Sequence, residues 1–158
     1  MIFGKKKQKS KIIAPQTGVC VDLDEVPDEV FAGRLLGDGI AIIPSENEVK
    51  SPVDGSVVQV FDTLHAYSIK SDDGLEILVH IGINTVELKG EGFSASVKDG
   101  DRVRVGDTLC TIDLQLIKEK GYDIHTPILI ANSENLKSLE FLKGQVVAGE
   151  TAVMEYLK

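Results

Sequence analysis

The feature that most restricts this chain is the spacing of its apolar segments. Short β-branched runs recur about every ten residues, the rhythm of an all-β chain. They are "GVCVDL" (18–23), "IAII" (40–43), "GSVVQVF" (55–61), "EILVHIGI" (76–83), "TLCTI" (108–112), "PILIAN" (127–132) and "TAVMEYL" (151–157), with Gly, Pro and Asp between them. Runs this short do not sustain helices, and β-branched side chains suit a pleated surface. Three stretches do have helical spacing: 25–33, 114–120 and 133–142, the last with Ser133 as N-cap. Each is expected to make two or three turns connecting sheets.

The chain also echoes itself. The Pro-x-x-Gly frame of "APQTGVCV" (14–21) returns 37 residues later in "SPVDGSVV" (51–58), and the Gly-acid-Thr frame of "VGDTLCTI" (105–112) returns 43 residues later in "AGETAVME" (148–155). A period this long and imperfect does not suit a solenoid. The expectation is an antiparallel β-sandwich or barrel with duplicated, hybrid-motif-like halves and a few short helical turns. It forms a single domain over 12–158, preceded by a basic flexible tail over 1–11.

Charge narrows the partners. The chain has 17 Lys+Arg against 25 Asp+Glu, and five of those lysines lie in "MIFGKKKQKSK". The remainder has 12 basic residues against 25 acidic ones, a net of −13. Such a body repels nucleic acid and attracts basic protein surfaces. The basic start has no apolar run behind it, so it does not read as a secretory signal; weak attraction of its lysines to phosphate or lipid is the sharper alternative to a solvated tail. No segment reaches the roughly 18 apolar residues of a membrane span. Cys20 and Cys110 lie far apart and read as reduced thiols of a cytoplasmic protein. With no CxxC and no HExxH, no metal or other cofactor is expected.

The candidate chemistry lies in two histidines. In "GLEILVHIGIN" (74–84) a period of two puts Leu75, Ile77, Val79, Ile81 and Ile83 on one face, and Leu78, His80 and Gly82 on the other. The preceding run, "FDTLHAYSIKS" (61–71), puts Phe61, Thr63, His65, Tyr67 and Ile69 together. The "SDDG" turn joins the runs as a hairpin. A turn centred between Asp72 and Asp73 sets His65 opposite His80, with Leu64, Ala66 and Ser68 on the core side; a turn centred on Asp73-Gly74 makes the two histidines diagonal. Cβ separations are then about 4.5–5.5 Å or about 7–8 Å, on one exposed face. A slip of one residue would turn His65 inward. Two adjacent imidazoles repel when both are protonated, so at least one stays neutral near pH 7. A neutral imidazole is a nucleophile, its neighbour can donate to an incoming anion, and Gly82 leaves the ring of His80 accessible.

"VPDEVFAGRLLGDGIAI", "SPVDGSV", "HAYSI", "LVHIGINTVELKGEGF", "VKDGDRVRVGDTL" and "TPILIAN" occur in order from about Ile12 to Lys158. Together they resemble the glucose-type enzyme IIA (EIIA) family of the bacterial phosphoenolpyruvate-dependent sugar phosphotransferase system. That resemblance implies a phosphoryl relay. The histidine matching His80 takes a phosphoryl group on Nε2 from the carrier HPr and passes it to a cysteine of the IIB domain of a glucose-type permease. The histidine matching His65 supports the transfer, Thr63 orients His65, and the carbonyl of Gly82 holds Nδ1–H of His80. Apolar Phe31, Phe61 and Val86 would ring the site and keep water from the P–N bond. Many members carry Asp where this chain has Asn84, so one charged docking contact is weakened here, and Asp28 matches another acidic docking position. His125 matches no active residue and reads as a structural strand-edge histidine.

Other functions make different demands. "NEVKSPVDGSV" (47–57) is similar to the stretch following the modified lysine of biotinyl and lipoyl carriers, which makes Lys50 the position to test. Those carriers present that lysine at a hairpin tip within Met-Lys-Met, and this chain has only Met1 and Met154. Zinc peptidases with related β folds need H-x-x-x-D and H-x-H, and neither string occurs. Zinc at His65 and His80 would need a third ligand from a partner. A regulatory binding module, read by other proteins through its phosphorylation state, is compatible with transfer.

Overall fold

A computed structural model describes residues 9–158. Sixteen elements follow in chain order: β1 (Ser10–Ile13), β2 (Gly18–Asp22), α1 (Glu29–Ala32), β3 (Asp38–Pro44), β4 (Glu48–Lys50), β5 (Gly55–Val60), β6 (Ala66–Ser71), β7 (Glu76–His80), β8 (Phe93–Ala95), β9 (Arg102–Val103), β10 (Thr108–Ile112), α2 (Leu114–Glu119), β11 (Thr126–Ile130), β12 (Ser138–Phe141), β13 (Gly144–Val146) and β14 (Ala152–Leu157). The strands make an eight-stranded sheet, ordered β13-β2-β3-β11-β7-β6-β5-β9, and two three-stranded sheets, β1-β14-β12 and β4-β10-β8. Every pairing is antiparallel.

The main core joins the large sheet to the two small ones. Ile40, Ile42, Tyr67, Ile69, Ile77, Val79 and Ile128 pack with Ile12, Val49, Leu109, Cys110, Met154 and Tyr156. The other face of the large sheet has its own smaller cluster, Leu23, Val26, Phe31, Ala41, Ile83 and Leu129. Period-two alternation in β7 therefore sends Ile77 and Val79 into the main core, and Leu78 and His80 to the opposite face.

The repeated frames meet one another in space. Ile13 N–H donates to the Pro52 carbonyl (3.0 Å), and Lys50 N–H donates to the Pro15 carbonyl (2.8 Å). The carbonyl of Ala14 accepts from Gly149 N–H and that of Ser51 from Gly106 N–H. Gly18 pairs with Val146 in one half, as Gly55 pairs with Val103 in the other. Offsets of 37 and 43 residues thus map one set of contacts onto the other, and the duplication is a two-fold clasp between halves.

Several expectations change. The stretch 133–142 is a single 3-10 turn (Ser133–Asn135), with Asn132 and not Ser133 at its N-terminal boundary, followed by β12. Pairing with β14 overrides local helix propensity there. The stretch 25–33 contracts to α1 after a separate turn at Leu23–Glu25. β1 begins at Ser10, inside the stretch expected as tail; residues 1–8 of that stretch lie outside the described residues. Among the described residues no helix is long and apolar enough to cross a membrane.

Candidate functional site

The β6–β7 hairpin runs in the register the sequence disfavoured. Ala66 lies opposite His80, Tyr67 opposite Val79 and Ile69 opposite Ile77. The turn is one residue longer than an even-centred hairpin allows. Gly74 N–H donates to the Ser71 carbonyl, Ser71 N–H to the Leu75 carbonyl, and Gly74 takes φ 95°. The shift puts Tyr67 and Ile69, both fully buried, into the core in place of Ala66 and Ser68. A buried apolar side chain of that size contributes about 1.5–3 kcal/mol, so packing selects this register.

That register alone would bury His65 on the core side, away from His80. The rings nevertheless meet, with centroids 4.9 Å apart and planes at 84°. His65 lies just before β6, and Leu64 has φ 61°, a left-handed conformation that ends the alternation. His65 keeps a main-chain tie to the end of the neighbouring strand, its carbonyl accepting from Ile81 N–H (2.7 Å). Contrary to the expected exposed pair, His65 is 4% exposed and His80 is half-buried.

Each ring is held at Nδ1 by a residue two positions away. His80 Nδ1 lies 2.8 Å from the Gly82 carbonyl. A carbonyl only accepts, so Nδ1 carries the proton and Nε2 of the neutral ring has a free lone pair. His65 Nδ1 lies 2.6 Å from Thr63 Oγ1, a hydroxyl able to donate or accept. Burial, then the neighbouring His80, push the His65 pKa down to about 4. His80 is also lowered, chiefly by burial, against the opposing pull of the Gly82 carbonyl and Asp28. Both rings are neutral near pH 7.

The other candidates divide. Phe31 lies 4.7 Å from the His80 ring, and Phe61 meets His65 edge-on at 5.7 Å. Asp28 caps α1, its carboxylate accepting from Val30 N–H (2.9 Å). Asn84 is exposed at φ 61°, where an asparagine is well tolerated, and leads into a 3-10 turn (Thr85–Leu88). Val86 is 49% exposed on that turn. His125 pairs with Asp123, Nδ1 to Oδ1 at 2.6 Å. Lys50 lies within β4 beside Glu48 (3.5 Å), not at a hairpin tip, which removes the carrier geometry. Cys20 and Cys110 are free and buried, and burial pushes their thiols up to about 11 and about 12.

Three features escaped sequence reasoning. Leu64 has no left-handed signal, because it is neither Gly nor Asn. Thr85 is fully buried and hydrogen-bonds the Ile81 carbonyl (2.5 Å) beneath the Gly82 turn. Val30, Leu35 and Leu36 are exposed apolar residues in and after α1, where Arg34 pairs with Asp24 (2.6 Å) and Asp38 (2.9 Å). The string "VFAGRLL" contains that signal. Among the described residues no group of three or more His, Cys, Asp or Glu is placed to hold a metal ion.

The antiparallel β-sandwich thus holds two neutral, Nδ1-anchored imidazoles side by side on an acidic body. Residues 10–136 match the family described as phosphoenolpyruvate-dependent sugar phosphotransferase system, EIIA 1. The chain is 48% identical over 154 residues to the PTS system glucose-specific EIIA component of Bacillus cereus, spanning 97% of this chain and 93% of that one. It is 44% identical over 147 residues to the protein of the same description from Buchnera aphidicola, spanning 93% and 91%. Glucose permease IIA from Mycoplasma capricolum, a solved structure, matches with TM-score 0.86 and 40% identity over 98% of this chain and 99% of that one. The chain belongs to the EIIA type 1 family of the sugar phosphotransferase system.

Proposed function

We propose that His80 is the phosphoryl acceptor of a glucose-type relay, working in the cytoplasm between HPr and the IIB domain of a permease. One observation carries the assignment: the 2.8 Å contact of His80 Nδ1 with the Gly82 carbonyl, which leaves Nε2 as the unprotonated nitrogen. His65 has no comparable constraint and is the more deeply buried ring.

In the first step Nε2 of His80 attacks phosphorus, the Nε2–P bond forms and the P–N bond of phospho-HPr breaks. In the second, a cysteine thiolate of IIB attacks, the S–P bond forms, the Nε2–P bond breaks and His80 leaves as the neutral imidazole. The transition state is loose, so catalysis rests on in-line placement and on donors to the phosphoryl oxygens. His65 supplies such a donor when Thr63 donates to its Nδ1, because the ring proton then resides on Nε2. Phe31 and Phe61 flank the rings and limit water. The acidic body and Asp28 favour basic partner surfaces, and exposed Asn84 presents a neutral contact in the same region.

The test is incubation with phosphoenolpyruvate, enzyme I and HPr, followed by mapping of acid-labile phosphate. Wild-type protein is expected to be labelled and His80→Ala unlabelled. Labelling of His80→Ala to the wild-type level would refute the assignment.

A further inference from the structure

The carbonyl that anchors His80 belongs to a peptide held from both ends. Its oxygen, on Gly82, receives Nδ1–H of His80, while its N–H, on Ile83, donates to the main-chain carbonyl of Asp123 at 3.0 Å. Gly82 has φ 75°, and an added Cβ would lie 2.5 Å from Thr85 Cγ2 and 3.0 Å from the Asp123 oxygen. Buried Thr85 and the Asp123 segment thus both close in on Gly82. Asp123 is itself fastened, its Oδ1 accepting from His125 N–H (2.7 Å) and lying 2.6 Å from His125 Nδ1. His125 leads directly into β11, which pairs with β7 through Ile128 and Val79. Two hydrogen bonds run in series, from the Asp123 carbonyl through the Ile83–Gly82 peptide to Nδ1 of His80, and His125 fastens the side chain of the residue that supplies that carbonyl. Those two bonds polarise one another, and the His125 contacts act on them by holding the Asp123 segment in place.

We propose that Asp123 and His125 are positioning residues of the relay, acting through the Gly82–Ile83 peptide to hold His80 with its proton on Nδ1 and its lone pair on Nε2. The inference rests on the assignment of His80 as acceptor, but its first readout does not. His80 is faced by His65, Asp28 and Phe31, none of which these substitutions alter.

The experiment compares wild type with Asp123→Ala, His125→Ala and Asp123→Asn, the last keeping an acceptor oxygen for both His125 contacts. Imidazole ¹⁵N spectra report the His80 tautomer across a pH titration, amide hydrogen exchange reports Ile83, and single-turnover labelling by phospho-HPr reports acceptance. In Asp123→Ala the Ile83 amide is expected to exchange faster, and the Nδ1–H tautomer to lose ground by roughly three- to tenfold, the range of one neutral hydrogen bond. His125→Ala shifts both in the same direction by less, and Asp123→Asn restores wild-type spectra. Acceptance falls in step with the tautomer. An unchanged His80 tautomer in folded Asp123→Ala and His125→Ala overturns the proposal. Should wild-type His80 take no label while its tautomer responds as expected, the acceptor assignment fails and the positioning chain stands.

Discussion

The two histidines differ first in the group that holds Nδ1. Both rings are anchored at Nδ1 by a residue two positions away, Thr63 for His65 and Gly82 for His80. One anchor is a hydroxyl, able to give or take a proton; the other is a carbonyl, able only to accept. In the proposed relay identical imidazoles thereby take different parts, His80 offering Nε2 as a nucleophile and His65 able to present Nε2–H as a donor. Depth reinforces the division. His65 is nearly sealed and far from protonation, whereas half-buried His80 is lowered but pulled back by the Gly82 carbonyl and Asp28.

The largest expected effect separates those parts. His80→Gln should abolish acceptance from phospho-HPr. His65→Gln should still accept but deliver to IIB on the order of a hundredfold more slowly, the scale of losing one transition-state donor. Rapid-quench measurement of both half-reactions checks this, and equal delivery by His65→Gln would remove His65 from the mechanism.

Depth gives the next test. The folded-state pKa of His65 is about 4, below the ordinary histidine value of 6.5, so the unfolded chain binds the extra proton first. Stability from keeping His65 neutral is whole above pH 6.5 and declines as pH falls toward 4. The loss should reach about 2–3 kcal/mol, and urea unfolding at stepped pH should show a flatter profile for His65→Gln. Parallel profiles would contradict the depressed pKa.

The anchors themselves follow. Gly82→Ala forces a side chain onto Thr85 at positive φ and should cost about 1–3 kcal/mol in urea unfolding, with acceptance falling as well. Thr63→Val removes only the hydroxyl contact and should cost about 1 kcal/mol, with delivery slowed more than acceptance. Equal slowing of both steps by Thr63→Val would erase the contrast between the two anchors.

Much of the molecule was legible in the residues, unevenly. The segment 108–112 coincides with β10, and the repeated Pro and Gly frames mark the clasp between halves, since turn chemistry is written locally. The stretch 133–142 was misread because its strand exists only through pairing with the distant β14. The two rings meet although the strand pairing differs by one residue from the register that alternation predicts. The three-residue loop Asp72–Gly74 moved the pairing by one, and Leu64 turned His65 back toward His80. Two departures from regular geometry offset each other. Neither leaves a trace in alternation, and a left-handed leucine has no sequence signature at all.

The central claim is that the Gly82 carbonyl determines which nitrogen of which ring carries the phosphoryl group. ¹⁵N and ³¹P NMR of the protein phosphorylated by HPr addresses it directly. The expected result is a single phosphoimidazole at His80, linked through Nε2, with Nδ1 still protonated. Phosphate on Nδ1 of His80, or on His65, would contradict it.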